Sequence, residues 1–169
     1  MTDRTAGSAG DEDLRDGTLA SALEREHREI DRGIGEFTAG APATESLHPA
    51  MVALRRHVYL EEQFLFPPLR QAGLMMPILV MLREHGALWD AMAAIEVLLD
   101  GDTRDDAIGD PVAACQDLLV MLERHNSKEE PILYSQADPV LTPQATAELH
   151  AFIEAGQMPE GWVCERATR

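Results

Sequence analysis

This 169-residue sequence has few cysteines and no long apolar run. Its only cysteines, Cys115 and Cys164, lie far apart, so a disulfide is conceivable, but two lone thiols in a reducing cytoplasm are favoured. Neither thiol has the neighbours of a zinc clip or of a catalytic nucleophile. A run of about 18 apolar residues is nowhere found, which argues against a membrane-spanning helix.

Positive charge is also scarce, because 14 Lys and Arg face 30 Asp and Glu and give a formal net charge of -16. Such a chain repels nucleic acid and anionic membranes, so neither is expected as a partner. Solubility is the simplest meaning of the charge, and an acidic face for a basic protein partner is the alternative. Residues 1–17 are small, polar and acidic, and they lack the apolar core of a secretory signal. They predict a disordered tail on a cytoplasmic protein.

Aromatic residues make up only 5% of the chain, whereas hydrophobic residues, led by Leu, Ala and Met, reach 45%. This composition favours helices packed on helices over sheets of β-branched residues. The length suits one domain. We predict an all-α fold: an up-down-up-down antiparallel four-helix bundle over residues 18–137. Residues 138–169 add a short C-terminal helix and a tail packed on or near the bundle.

Helix signals divide the bundle. The first helix is predicted from Thr18, a candidate N-cap, to the break at residues 40–42, and the second over residues 46–71, where Pro67 and Pro68 should kink or end it. The third opens at Pro77, and the fourth follows the cap and proline at residues 110–111. Short connections between them favour antiparallel neighbours. Residues 143–155 form the additional helix, and the tail beyond it is a candidate lid or strap.

Histidine and glutamate recur on the inward, apolar stripes of all four helices. Burying such groups without partners is costly, so their placement needs a reason. A single inward histidine usually bonds a backbone carbonyl. For the whole set, one explanation is a plain bundle in which the inward histidines and glutamates only hydrogen-bond each other; the other is a metal site. Counted from the turns at 1.5 Å per residue, all six side chains fall at one height. They are His27, His57, Glu61, His85, His125 and Glu129.

The site is also repeated within the sequence. Residues 25–27 and 83–85 both read Arg-Glu-His, and residues 56–62 and 124–130 both read Arg-His-x-x-x-Glu-Glu. A spacing of four places each His and Glu on one helix face. The repeat predicts a site with approximate two-fold symmetry at the bundle axis.

Two metal ions would satisfy that symmetry. Two imidazoles per metal, two bridging carboxylates and a bridging oxide or hydroxide leave one position open on each ion. Mixed nitrogen and oxygen ligands suit iron or manganese, and zinc could also occupy the site. Because no thiolate takes part, an iron–sulfur centre is not expected.

This ordered set of motifs resembles the hemerythrin-like, or HHE cation-binding, family over residues 18–137. The resemblance implies a non-haem di-iron centre that binds dioxygen or related species. Four histidines carry over as terminal ligands, namely His27, His57, His85 and His125. Glu61 and Glu129 carry over as bridges.

The sequence departs from the oxygen-carrying members at two places. Met81 stands where they have a fifth histidine, and Glu129 stands where they usually have an aspartate. Loss of the fifth imidazole favours reaction with dioxygen, peroxide or nitric oxide, or sensing of iron or oxygen, over simple oxygen carriage. Whether the chain is an enzyme is left open. The alternative is a regulatory or structural helical module in which a bound metal only stabilises the fold.

Four further glutamates lie next to predicted ligands in the sequence. They could accept hydrogen bonds from the imidazole N–H groups, or they could simply form a solvated face. These residues are Glu26, Glu62, Glu84 and Glu130.

Overall fold

The structure, a computed structural model, describes residues 17–100 and 109–168, and within these ranges the chain forms helices and no strand. The all-α class is therefore confirmed. The predicted disordered tail falls, except for Gly17, outside the described residues, as does most of the predicted loop before Asp110.

Within the described residues, seven α-helical segments and two π-helical turns follow one another. The helices are α1 (Leu19–Thr38), α2 (Leu47–Leu60), α3 (Phe66–Gln71), α4 (Met75–Asp100), α5 (Pro111–Glu129), α6 (Ser135–Val140) and α7 (Pro143–Ala155). The first π turn, Glu61–Leu65, joins α2 to α3 without a break, and the second, Glu130–Tyr134, joins α5 to α6.

Side-chain caps fix the starts of three helices. Thr18 accepts a hydrogen bond from the Ser21 N–H, and Asp110 accepts one from the Val112 N–H, as their sequence positions predicted. Thr142 accepts one from the Ala145 N–H at the start of α7. Helix α4 begins at Met75, two residues before the predicted start at Pro77. The N–H groups of the first helical turn have no intrahelical partner, so a proline fits the third position as well as the first.

The second predicted helix does not end at its two prolines. The Phe66 N–H donates to the Glu61 carbonyl, five residues back, which defines the π turn. Pro67 and Pro68 then occupy the start of α3 and continue the helix to Gln71. The change of hydrogen-bond register accommodates the two prolines, which lack N–H groups, so the helix continues past them.

The second π turn repeats this arrangement. The Ser135 N–H donates to the Glu130 carbonyl, and Pro131 lies inside the turn. The first π turn thus begins at the Glu of one His-x-x-x-Glu motif, and the second begins one residue after the Glu of the other. Such turns are frequent at functional sites.

The long helices form a bundle in which α1 packs on α2 and α5, α4 packs on α5, and α2 contacts α4. Two buried apolar clusters lie along it. The lower cluster includes Leu23, Phe66, Met81 and Tyr134, and the upper cluster includes Leu54 and Leu88 among others. The predicted site residues lie near the junction of the two clusters along the helices, so the polar layer has apolar side chains on both sides.

The C-terminal segment 162–168, called the strap below, crosses α2 and α4. The Trp162 ring lies 5.0 Å from that of Tyr59 and 5.4 Å from that of Trp89, centroid to centroid. Cys164 is buried, and the Thr168 N–H donates to Asp90 at 2.9 Å. Among the described residues, no helix has the length and apolarity that crossing a membrane requires.

Candidate metal centre

The structure brings all six predicted side chains into one layer of the bundle. Each is at most 4% exposed, and three are fully buried. Helix α1 supplies His27, α2 supplies His57, α4 supplies His85 and α5 supplies the His125-x-x-x-Glu129 pair. Glu61 opens the first π turn. The four-residue spacing places each His and Glu pair on one face, as the sequence predicted.

The six side chains form two groups whose ligand atoms lie within 4.8 Å of one another, and Glu61 belongs to both. Its Oε1 lies 3.2 Å from the His57 Nε2, and its Oε2 lies 3.1 Å from the His85 Nε2. One group is His27, His57 and Glu61; the other is Glu61, His85, His125 and Glu129. A carboxylate that faces both groups with different oxygens has the placement of a bridging ligand.

Glu129 spans the layer in a related way. Its Oε2 lies 3.1 Å from the Nε2 of His125 and 3.7 Å from the Nε2 of His27. It therefore reaches toward one imidazole of each half, although less evenly than Glu61.

Every histidine of the layer has its outer nitrogen, Nδ1, bound to a glutamate. On one half His57 pairs with Glu26 at 2.7 Å, and on the other His125 pairs with Glu84 at 3.0 Å. The remaining pairs are His27 with Glu130 at 2.9 Å and His85 with Glu62 at 3.0 Å. All four Nε2 atoms consequently turn toward the interior, which is the orientation that metal ligation requires.

These contacts settle the question that the sequence left open about the four neighbouring glutamates. They do not form a solvated face; they hold imidazoles. Two of them extend outward to cations: Arg56 donates to Glu26 at 2.8 Å, and Lys128 forms an ion pair with Glu84. A third, Glu62, accepts a hydrogen bond from the backbone N–H of Glu165 in the strap at 3.0 Å.

The electrostatics of the layer favour positive charge. Burial opposes protonation of His125, but attraction to Glu129, together with the hydrogen bond to Glu84 and the charge of Glu61, outweighs it and raises the pKa of His125 to about 10. The hydrogen bond from His125 is the main reason that the pKa of Glu84 falls to about 2. A metal must displace the protons that these carboxylates attract, so its binding should release protons.

Several buried polar atoms of the layer make no hydrogen bond within the described structure. They include Glu61 Oε2, His85 Nε2 and Glu129 Oε1. The first two lie 3.1 Å apart, but without hydrogen-bond geometry. Buried groups without partners are expensive in apolar surroundings, and a cation would satisfy all three. The nitrogen and oxygen donor set therefore fits a first-row divalent or trivalent metal.

A small cavity adjoins the layer on the side of the upper cluster. All four histidines of the layer and Glu61 line it, together with Leu54, Leu88 and Leu122. Asp31 and Asn126 contribute the other polar groups. The cavity therefore opens directly on the candidate ligand atoms.

One residue of the layer was not predicted. Tyr134 is fully buried, and its hydroxyl lies 2.8 Å from the His27 Nε2 and 2.5 Å from the Glu61 Oε1. The available signal was the repeat, in which Phe66 and Tyr134 occupy matching positions. Met81, at the place of the absent fifth histidine, lies in the lower apolar cluster and in neither ligand group.

Comparison with known proteins agrees with this geometry. The family model of the hemerythrin HHE cation binding domain matches residues 16–137, which is more than half of the chain. No curated protein and no solved structure gives a significant match.

Proposed function

Because this chain belongs to the hemerythrin HHE cation-binding family, we propose that its buried layer holds two iron ions joined by an oxide or hydroxide. The centre would bind or react with dioxygen, peroxide or nitric oxide, or it would sense iron or oxygen. His27, His57, His85 and His125 are the proposed terminal ligands. Glu61 and Glu129 are the proposed bridges.

The observation that carries the proposal is the shared carboxylate. Glu61 directs one oxygen toward His57 and the other toward His85, and so belongs to both ligand groups. A single metal would need only one of these groups. Two groups that share a carboxylate support two ions side by side, as the repeated sequence implies.

The donor set supports iron over zinc. Zinc prefers four ligands, and the two groups with their shared carboxylate supply more nitrogen and oxygen donors than one such ion would use. Iron and manganese accept larger shells of imidazole and carboxylate. Bound iron supplies the redox chemistry, while the chain's own residues fix the imidazoles through their Nδ1 atoms and exclude bulk water from the layer.

The up-down-up-down course of the four long helices is part of this proposal. The contacts of α1 with α2 and α5, and of α4 with α5, support it, as do the short connections. A cytoplasmic location is likewise proposed, on the support of two free, buried cysteines.

The test compares two histidines of the same helix. His57 belongs to the proposed ligand layer, whereas His48, nine residues closer to the start of α2, is exposed. Wild type, His57→Ala and His48→Ala are loaded with Fe(II) without oxygen and then exposed to air. Elemental analysis gives the iron per chain, and absorption spectra recorded before and after air or peroxide report oxo-to-iron charge transfer.

We expect two iron ions per chain and charge-transfer bands in wild type and His48→Ala, with both reduced in His57→Ala. Circular dichroism checks that each variant is folded. Wild type is also offered Fe(II) and Zn(II) together. If it takes up a single zinc ion and develops no visible bands, that result would contradict the oxygen chemistry. That result would favour a helical module in which metal only stabilises the fold.

A further inference from the structure

Tyr134 breaks the two-fold repetition of the layer at one point. Its ring stacks on His27 with centroids 5.2 Å apart, and the ring of Phe66 stacks on His85 at 5.4 Å. The two aromatic rings thus take equivalent places against the two halves of the site. Only one of them carries a hydroxyl, so the two halves cannot have the same chemistry.

The hydroxyl lies among the ligand atoms of one half. Its oxygen is 2.8 Å from the His27 Nε2, 3.0 Å from the His57 Nε2 and 2.5 Å from the Glu61 Oε1. Metal–ligand bonds to imidazole and carboxylate are about 2.0–2.2 Å long. An ion bonded to these three side chains therefore comes into contact with the phenol oxygen unless the ring moves away.

The ring has little freedom to move. Tyr134 is 0% exposed and ends the second π turn, with its ring packed in the lower apolar cluster. Within that cluster, its neighbours are side chains of several helices, at the high density that protein interiors maintain. Displacing the ring by the width of an atom would require the cluster to repack.

Resting on the proposed di-iron centre, we infer that the hydroxyl oxygen of Tyr134 is a ligand of the metal held by His27 and His57. On binding, the O–H bond is replaced by an O–metal bond, and the proton leaves with those displaced from the imidazoles. Tyrosine is a known ligand of ferric iron in proteins. In the other half, Phe66 stacks on His85 and has no hydroxyl, so a metal held by His85 and His125 would keep an open position for the small molecule.

The experiment uses the fact that the chain has two tyrosines. Tyr59 is half-buried and packs against Phe152 and Trp162, away from the ligand layer. Wild type, Tyr59→Phe and Tyr134→Phe are loaded with Fe(II) and oxidised in air. Iron per chain, visible absorption and resonance Raman spectra are then recorded for each.

We expect phenolate-to-iron charge transfer and tyrosinate ring vibrations in wild type and in Tyr59→Phe. Tyr134→Phe should lose both signals while it keeps its iron. In Tyr59→Phe only Tyr134 can give a tyrosinate signal, so this variant decides the question even if Tyr134→Phe fails to fold.

Two negative results have different meanings. If Tyr59→Phe binds two iron ions but shows no tyrosinate vibrations, Tyr134 is not a ligand, and the proposed function still stands. If Tyr59→Phe, correctly folded, binds no iron, the proposed function fails, and this inference fails with it.

Discussion

Removing the charge from a glutamate behind a ligand histidine should weaken metal binding without unfolding the protein. In Glu26→Gln the new side chain has the same shape, but only one of its two polar atoms can accept a hydrogen bond. In the unsubstituted protein, one Glu26 oxygen accepts a hydrogen bond from His57 at 2.7 Å, and the other accepts one from Arg56 at 2.8 Å. The amide cannot serve both donors, so His57 loses its charged partner, its hydrogen bond or both.

The magnitude follows from what remains in place. Arg56 also donates to the backbone carbonyls of Phe152, Ile153 and Gly156, so it stays anchored after the substitution. The substitution therefore mainly loosens the orientation and lowers the basicity of the His57 imidazole. Substitutions of this kind cost about 10–100-fold in metal affinity, or about 1.4–2.7 kcal/mol.

The two-fold repetition supplies a second variant and a control. Glu84→Gln should have an effect of similar size, because Glu84 binds His125 at 3.0 Å and pairs outward with Lys128. Glu24→Gln is the matched control, since Glu24 lies on α1 near Glu26 but only approaches the exposed Arg28. The assay is anaerobic titration with Fe(II) against a chelating dye, with circular dichroism to verify folding.

The double variant adds a stricter requirement. Glu26 and Glu84 act on histidines of different ligand groups, so their effects on the overall affinity should multiply. If either single variant binds Fe(II) as tightly as wild type, the outer glutamates do not hold the ligands in the way described. The same conclusion follows if Glu24→Gln weakens binding equally.

Two further perturbations test the strap and the metal. In Gly86→Ala the added Cβ would lie 2.3 Å from the Arg166 carbonyl oxygen, so the strap must shift. Cys164, which lies in the strap, should then react faster with a thiol reagent. The control is Gly35→Ala, whose Cβ has open space around it and which should leave that rate unchanged. An unchanged rate in Gly86→Ala would show that the strap already detaches. At a free metal concentration of 100 times Kd, binding stabilises the folded protein by about 2.7 kcal/mol. Removing the metal should therefore lower the Tm measured by calorimetry by about 5–11 °C. Equal melting temperatures would mean that the layer does not bind the metal in its native form.

The gathering of the six candidate ligands in one layer could be predicted from the sequence because two independent regularities agreed. Helical periodicity placed each histidine on an inward stripe, and the distance of each from its turn placed all of them at one height. Side chains such as His27 and His85 fall into register whatever the exact tilt of their helices. The same reasoning identified Thr18 and Asp110 as helix caps, because a cap depends only on neighbouring residues.

Other features depend on the packing of one helix on another and so escaped prediction. Glu26 and Glu84 lie one position off the inward stripe, where a small rotation of the helix decides between solvent and the neighbouring imidazole. The π turns arise from a shift of hydrogen-bond register that no single residue dictates. Pro67 and Pro68 predicted a kink or an end of the helix but not a π turn before them. Tyr134 matched Phe66 in the repeat, and only the folded chain reveals that its hydroxyl meets the ligands.

The pattern of the outer glutamates bears on whether the site exists before the metal arrives. Each ligand histidine is bound by a glutamate from a different helical segment, so the four bonds link α1 with α2, α4 with α5, and each π turn with a helix of the other pair. Moving any long helix would release an imidazole from its carboxylate. The contacts that aim the ligands are therefore contacts that hold the bundle together. A preformed site follows, because the chain cannot pack its helices in this way without also pointing all four Nε2 atoms inward.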